Sequence, residues 1–132
     1  MLRFATRKFT TTTAVKSSTP TAWALGSIVE RGDSDFKKTI AEAGTTPVLV
    51  DFYADWCGPC RMLAPILKKV VSIESPKTFL IKVNTDEAVE TASEFGVSAL
   101  PTVGIFKSGK LVDQFVGLRD EKFVKEFIER NL

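Results

Sequence analysis

The two cysteines of this 132-residue chain stand three residues apart, in the segment Trp56-Cys57-Gly58-Pro59-Cys60. On a helix, side chains at this spacing have Cβ atoms roughly 5 to 6 Å apart, so a small adjustment closes a disulfide. The chain contains no histidine, which excludes Ser-His and Cys-His nucleophile pairs and histidine metal ligands. Any chemistry must therefore come from cysteine, carboxylates, lysine or the backbone.

The position of the two cysteines predicts that they differ in reactivity. Cys57 precedes a predicted helix, where unpaired backbone N–H groups and the helix dipole favour a thiolate and lower its pKa from about 8.5. Pro59 fits the first helical turn, which needs no N–H group from it. Cys60 lies inside the helix, where we expect it to be more buried than the exposed Cys57 and to keep its proton longer. Cys57 is therefore the predicted attacking thiol and Cys60 the predicted resolving thiol.

Two other interpretations of the cysteine pair are less favoured. A structural zinc ion takes four ligands, and this pair supplies two of them. A purely stabilising disulfide would close a very short loop and contribute only about 2 kcal/mol. Redox chemistry explains the adjacent thiols better than either alternative.

Asp51 is the single charge in the apolar run 47–54, which is typical of a strand buried on both faces. A buried carboxylate is strongly disfavoured unless it is paired or protonated. We predict that Asp51 lies beneath the cysteines with a raised pKa and accepts the proton of Cys60, directly or through one water. In the alternative interpretation, Asp51 faces water at the end of the strand.

The periodicity of the remaining sequence predicts the elements that position these residues. Apolar runs and alternation predict strands, and spacings of three and four residues predict helices with Asp33 or Ser34, Asp86 and Asp120 as N-caps. The predicted strands are 27–31, 47–54, 78–83, 102–106 and 110–116, and the predicted helices are 33–44, 59–74 (kinked at Pro65), 86–96 and one from 120 onward. Their order predicts an α/β fold, with a central mixed sheet of four to five strands flanked by four helices.

The N-terminal segment 1–25 differs from the rest of the chain. Its four basic residues, with no acid before Glu30, and its possible amphipathic helix predict a mitochondrial transit peptide that is disordered or removed. A plastid address and a basic tail without an address are the alternatives. Residues 26–132 form the predicted folded domain, whose slight acidic excess gives no sign of nucleic-acid binding. No apolar run reaches the roughly 20 residues of a membrane span.

Several motifs occur together in residues 26–132 at the spacing of one known family. They are the segment from Val50 to Arg61, Pro65, the segment from Lys82 to Asp86, Leu100-Pro101-Thr102 and Val116-Gly117. In these motifs the chain resembles the thioredoxin family, and its leader resembles that of the mitochondrial members. Tyr53, Ala99 and Leu100 replace the residues that are usual in the family, at positions that concern substrate preference rather than the reaction.

The resemblance implies further site residues around the cysteines. It implies a cis Leu100-Pro101 peptide bond, which places the Leu100 backbone beside the disulfide to pair with an extended substrate segment. The implied substrate surface consists of Trp56, Ala99, Leu100, Pro101, Val116 and Gly117, and Gly58 and Pro59 tune the cysteine pair towards reduction. Lys82, on the neighbouring strand, would limit the rise in the pKa of Asp51. Taken alone, Trp56 could be a core residue, Lys82 a solvated one and Gly117 the end of a strand.

The implied activity is the reduction of protein disulfides without a bound cofactor or metal. An NADPH-dependent flavoprotein thioredoxin reductase would restore the dithiol, and peroxiredoxins and methionine sulfoxide reductases would be typical acceptors. We expect a monomer in the mitochondrial matrix. A disulfide oxidase or isomerase, and a non-catalytic binding module that uses the surface at Trp56, Pro101 and Val116, remain as alternatives.

Overall fold

The computed structural model describes residues 24–74 and 76–132. The transit peptide predicted for residues 1–25 thus lies almost wholly outside the described residues. Among the residues that are described, no helix has the length and apolar character needed to cross a membrane.

The elements follow one another in the predicted order. They are β1 (Ile28–Glu30), α1 (Phe36–Glu42), β2 (Val48–Tyr53), α2 (Gly58–Lys69), β3 (Phe79–Asn84), α3 (Val89–Glu94), β4 (Thr102–Lys107), β5 (Lys110–Val116) and α4 (Glu121–Arg130). The third predicted strand begins and ends one residue later than expected. The helix predicted over 59–74 continues through Pro65 as α2 and changes at Val70 to a π-helical segment, Val70–Glu74.

The five strands form one mixed sheet in the order β1-β3-β2-β4-β5. Strands β1, β3 and β2 run parallel, whereas β4 is antiparallel to both β2 and β5. The β4–β5 hairpin turns at Ser108 and Gly109, whose φ angles of 52° and 80° fit the type I′ turn that matches strand twist. The predicted fold class is confirmed, and β2 lies at the centre of the sheet.

Apolar side chains cover the sheet on both faces, which explains why β2 is almost uniformly apolar. Leu49 on β2 joins a cluster with residues of α2 and α4. Val48, Val50 and Phe52 point the other way, into a cluster with Phe36 of α1. Alternation along β2 therefore places Asp51 on the same face as Leu49, towards α2.

Two of the predicted helix caps are wrong. Helix α1 begins at Phe36 after Asp35, and the Asp33 carboxylate instead accepts hydrogen bonds from the backbone N–H groups of Glu90 and Thr91 at 3.2 and 2.8 Å. Asp33 thus caps α3, a helix that is distant in sequence but close in space. Asp86 does not cap α3, which begins three residues later.

The third predicted cap is confirmed, since the Asp120 carboxylate accepts a hydrogen bond from the Phe123 N–H group at 2.9 Å.

Candidate active site

Cys57 and Cys60 form a disulfide at the start of α2, with their Cα atoms 5.2 Å apart. Cys57 is the N-cap residue with extended backbone angles, and Pro59 occupies the first turn of the helix. The N–H group of Cys60 donates a hydrogen bond to the Cys57 sulfur at 3.2 Å. The predicted location of Cys57 at a helix N-terminus is therefore confirmed, with a backbone donor directed at its sulfur.

The predicted difference in burial between the cysteines is absent from this disulfide form. Cys57 is 4% exposed and Cys60 is 3% exposed. Cys57 is covered because it belongs to a buried cluster with Ala54 and Cys60, against which Tyr53 and Leu100 pack. What distinguishes the two sulfurs is their position on the helix and the N–H donor at Cys57.

Asp51 is 1% exposed, so the interpretation in which it faces water is wrong. Burial raises the pKa of Asp51 to about 7, the nearby Lys82 charge opposes the shift, and Glu30 adds to it. The Oδ1 atom of Asp51 has no hydrogen-bond partner among the described residues. A carboxyl group with a pKa of about 7 can accept or donate a proton near neutral pH.

Asp51 and Cys60 line a common cavity of about 120 Å³. Tyr53, Ala54, Asp55, Arg61, Ala64 and Lys82 complete its lining. A second cavity, of about 350 Å³, adjoins Asp51 and Lys82 between α2 and the strands β1 and β3. Asp51 and Cys60 therefore border the same space, as the predicted role of Asp51 requires.

Lys82 lies beside Asp51 on the neighbouring strand β3, as the resemblance implied. Its ammonium group lies over the ring of Tyr53, 4.6 Å from the ring centroid. The side chain is half-buried and lines both cavities. Lys82 is thus a site-facing charge rather than a solvated strand residue.

The residues of the implied substrate surface lie at the same end of the sheet. Trp56 is 69% exposed, which excludes the core interpretation, and its indole N–H group donates to Asp86 at 3.0 Å. The Leu100-Pro101 peptide bond is cis. Trp56, Ala99 and Leu100 help to line an open groove of about 290 Å³.

Two residues at the end of β5 complete this surface. Val116 is exposed, and the N–H group of Gly117 donates to the Pro101 carbonyl oxygen at 2.9 Å. Gly117 has a φ angle of 95°, a left-handed conformation that favours glycine. Gly117 therefore ends β5 and also joins it to the cis-proline segment, although neither Val116 nor Gly117 lines the groove.

The sequence interpretation missed two polar contacts of the site, the hydrogen bond of Trp56 to Asp86 and one between Tyr53 and Glu30. In the second, the tyrosine hydroxyl is the donor, at 2.5 Å. The alternation of β2 could have placed Tyr53 on the face of Asp51, since the two are two residues apart. Glu30 could be added only once β1 was known to lie next to β3, and local pattern carries no such information.

A redox-active cysteine pair at the N-terminus of a helix that follows the central strand, with a cis-proline beside it, defines a thiol–disulfide oxidoreductase. A family model for thioredoxin matches residues 27–130. The chain belongs to the thioredoxin family, and within it to the reductases of protein disulfides.

Individual relatives agree with this assignment. Thioredoxin 1 of Nostoc sp. is 42% identical over 100 residues, which cover 76% of this chain and 92% of the relative. The mitochondrial thioredoxin of Bos taurus is 44% identical over 96 residues, covering 73% of this chain and 57% of the relative. The solved structure of a mutant thioredoxin from Halobacterium salinarum superposes with a TM-score of 0.72 at 33% identity, covering 81% of this chain and 92% of that one.

Proposed function

We propose that Cys57 is the attacking thiol and Cys60 the resolving thiol in the reduction of protein disulfides. The Cys57 thiolate attacks one sulfur of the substrate disulfide, which forms a mixed disulfide and releases the first substrate thiolate. The Cys60 thiolate then attacks the Cys57 sulfur, which releases the second substrate thiolate and closes the Cys57–Cys60 disulfide. Two electrons pass to the substrate. The observation that carries this assignment is the Cys60 N–H group directed at the Cys57 sulfur, a contact that stabilises negative charge on Cys57.

Asp51 is the proton acceptor for Cys60 in the second step. It is buried, its pKa is raised to about 7, and it opens into the cavity that Cys60 also lines. A base must take the Cys60 proton before this sulfur can attack. Lys82 lowers the pKa of Asp51 and so keeps part of the population ionised at neutral pH.

The substrate segment binds across the groove at Trp56, Ala99 and Leu100 and continues over Pro101 towards Val116 and Gly117. The exposed Trp56 ring supplies apolar contact area, and the backbone at Leu100 pairs with an extended chain. Gly58 and Pro59 tune the pair towards reduction. These roles follow the family pattern, from which Ala99 and Leu100 depart in residue type.

The dithiol is restored by an NADPH-dependent thioredoxin reductase, and the acceptors include peroxiredoxins and methionine sulfoxide reductases. These partners follow from membership of the family, whose reaction is an exchange of electrons between proteins. The protein itself acts as a monomer without a bound cofactor.

The protein acts in the mitochondrial matrix, with residues 1–25 as its transit peptide and residues 26–132 as its working domain. The acid-free basic leader and the similarity to a relative named as mitochondrial support this location.

The reduction of insulin disulfides tests the two thiol roles. Cys57→Ser should abolish turnover, whereas Cys60→Ser should accumulate a mixed disulfide with the substrate, seen as an added mass on the intact protein. The double variant Cys57→Ser/Cys60→Ser is the matched control, because it keeps the surface and should form no adduct. Turnover by Cys57→Ser, or an adduct in Cys57→Ser but not in Cys60→Ser, would overturn the assignment.

A further inference from the structure

Three charged residues of alternating sign stand side by side across the parallel part of the sheet. In the register of the strands, Glu30 of β1 pairs with Lys82 of β3, and Lys82 pairs with Asp51 of β2. Paired residues of neighbouring strands direct their side chains to the same face, so all three point towards α2. The Lys82 charge is therefore flanked by two carboxylates, one buried and one at the sheet edge.

Tyr53 fixes the outer carboxylate of this row. Its hydroxyl donates to Glu30 Oε2 at 2.5 Å, and its ring lies under the Lys82 ammonium. The pKa of Tyr53 is raised by burial and by this hydrogen bond, so the hydroxyl remains a donor throughout the range in which Asp51 titrates. Glu30 is thus held near Lys82 by a hydroxyl group of β2, the strand that also carries Asp51.

Burial is the main cause of the raised pKa of Asp51, and charged neighbours adjust it further. The Oδ1 atom of Asp51 has no hydrogen-bond partner among the described residues. The charged neighbours come from every element packed around Asp51: Glu30 of β1, Lys82 of β3, Asp55 after β2, and Arg61 and Lys68 of α2. Lys82 and Glu30 act on Asp51 in opposite directions.

We propose that Glu30, held by the Tyr53 hydroxyl, is a positioning residue that counteracts Lys82 and so sets the pH range in which Asp51 accepts the Cys60 proton. This inference rests on the proposed role of Asp51 as the base. Glu30 contacts neither cysteine, and it acts only by opposing ionisation of Asp51. Strands are about 4.8 Å apart, so the backbones at Glu30 and Asp51 are separated by two spacings, or about 10 Å. At that distance one charge shifts the titration of another by roughly half a pH unit.

A stopped-flow reaction with dithionitrobenzoate isolates the step concerned. The reduced protein releases one coloured thionitrobenzoate when Cys57 attacks and a second when Cys60 resolves the mixed disulfide. The rate of the second phase is measured against pH for the parent, Glu30→Gln, Tyr53→Phe and Glu126→Gln. Glu126 lies exposed on α4, and its replacement changes the net charge by the same amount as Glu30→Gln.

We expect Glu30→Gln to move the inflection of the second phase to lower pH by roughly half a unit, since the charge that opposes ionisation of Asp51 is removed. Tyr53→Phe should move the inflection in the same direction by a smaller amount, because the carboxylate is released but keeps its charge. Glu126→Gln should leave the inflection in place. A titration of the Asp51 carboxyl carbon by NMR in the oxidised proteins should show the same order.

An inflection that stays in place or moves to higher pH in Glu30→Gln would overturn the inference. Asp51→Asn separates this failure from failure of the proposed function. If Asp51→Asn abolishes the inflection while Glu30→Gln leaves it unmoved, only the role of Glu30 is refuted. If the inflection persists in Asp51→Asn, the base role of Asp51 is refuted and the inference with it.

Discussion

A carboxyl group that lies in the central strand of a sheet is shielded from water by the strands on both sides and by the helix above it. Asp51 occupies such a position, and its raised pKa of about 7 is the electrostatic consequence of burial. The same burial has an effect on catalysis and an effect on stability, and each can be measured separately with one substitution.

The effect on catalysis is a slower resolving step in Asp51→Asn. An amide cannot accept the Cys60 proton, so the second phase of the dithionitrobenzoate reaction should slow by roughly a hundredfold at about pH 8. The first phase, which is the attack of Cys57, should change much less. Asp55→Asn is the matched control, because Asp55 lines the same cavity but is exposed. A second phase with the parent rate and pH profile would contradict the assignment.

The effect on stability should depend on pH. The pKa of Asp51 is higher in the folded state than in the unfolded chain, so its ionisation opposes folding increasingly as the pH rises from about 4 to about 7. Asp51→Asn should therefore raise the free energy of unfolding by about 1 to 4 kcal/mol above about pH 7. The gain should vanish below about pH 4, where Asp51 is protonated in both states. Urea denaturation of the oxidised proteins at both extremes tests this, and a gain that is independent of pH would contradict it.

The position of a residue could be predicted from the local sequence where it depends on the immediate neighbours in the chain. Cys57 could be placed at a helix start because a buried strand precedes it and Pro59 follows, and Asp51 because it interrupts an apolar run. The Glu30–Tyr53 contact joins residues 23 positions apart, and its partner strands are neighbours only through β3. Such a pair follows from strand order, which local pattern does not contain.

At the scale of elements, the helix caps also separate into those set by neighbours in sequence and those set by neighbours in space. Asp120 caps the helix that follows it, so the predicted cap and the observed cap agree. Asp33 precedes α1 but serves α3, because the unpaired N–H groups of Glu90 and Thr91 are its neighbours in space. A carboxylate binds the nearest unsatisfied donors, whichever helix provides them.

Removal of the Asp33 carboxylate should therefore loosen α3 rather than α1. In Asp33→Ala, the backbone amides of Glu90 and Thr91 should exchange hydrogen several-fold faster, because their acceptor is lost. Asp120→Ala is the matched control and should instead affect the Phe123 amide. Faster exchange confined to α1 in Asp33→Ala would show that Asp33 caps α1, the helix that follows it in sequence.

The pH dependence of this cap has the opposite sign to that of Asp51. The hydrogen bonds from Thr91, through its hydroxyl first, lower the pKa of Asp33. The stabilisation is therefore present above the unfolded pKa of about 3.9 and is lost as the pH falls through the lower folded value.

At the scale of the whole molecule, two apolar layers enclose the sheet, and one of them is strongly aromatic. The ring of Phe36 lies 5.7 Å from the rings of both Phe95 and Phe106 and 6.4 Å from that of Phe52, measured between centroids. Helix α1 is short, and Phe36 and Ile40 are the buried apolar residues that attach it to the sheet.

Phe36→Ala should lower the free energy of unfolding by about 3 to 5 kcal/mol, since it removes a fully buried ring and leaves a cavity. Phe123→Ala, at a half-buried ring of the opposite layer, is the control and should cost less. Urea denaturation of the oxidised proteins measures both. Equal losses would contradict the central place given to Phe36.

The mitochondrial targeting predicted for residues 1–25 is tested in cells, without the folded domain. Residues 1–25 fused to a fluorescent protein should carry it into mitochondria, because the segment is basic, free of acid and amphipathic on a helix. A fusion in which Arg3 and Arg7 are replaced by glutamine should remain in the cytosol. Plastid or cytosolic fluorescence of the unaltered fusion would refute the address and leave the reductase assignment intact.

Cys57 and Cys60 are the only cysteines in the sequence, and they pair with each other. This limits how the protein can pass electrons from a donor to an acceptor. Each molecule stores one electron pair or none, and no second couple within the chain can relay that pair onward. With Cys57 as the attacking thiol, as proposed, donor and acceptor proteins should react with the same Cys57 sulfur in turn. Each should exclude the other while it is attached. Steady-state rates measured at several concentrations of both should give the parallel double-reciprocal lines of a ping-pong scheme.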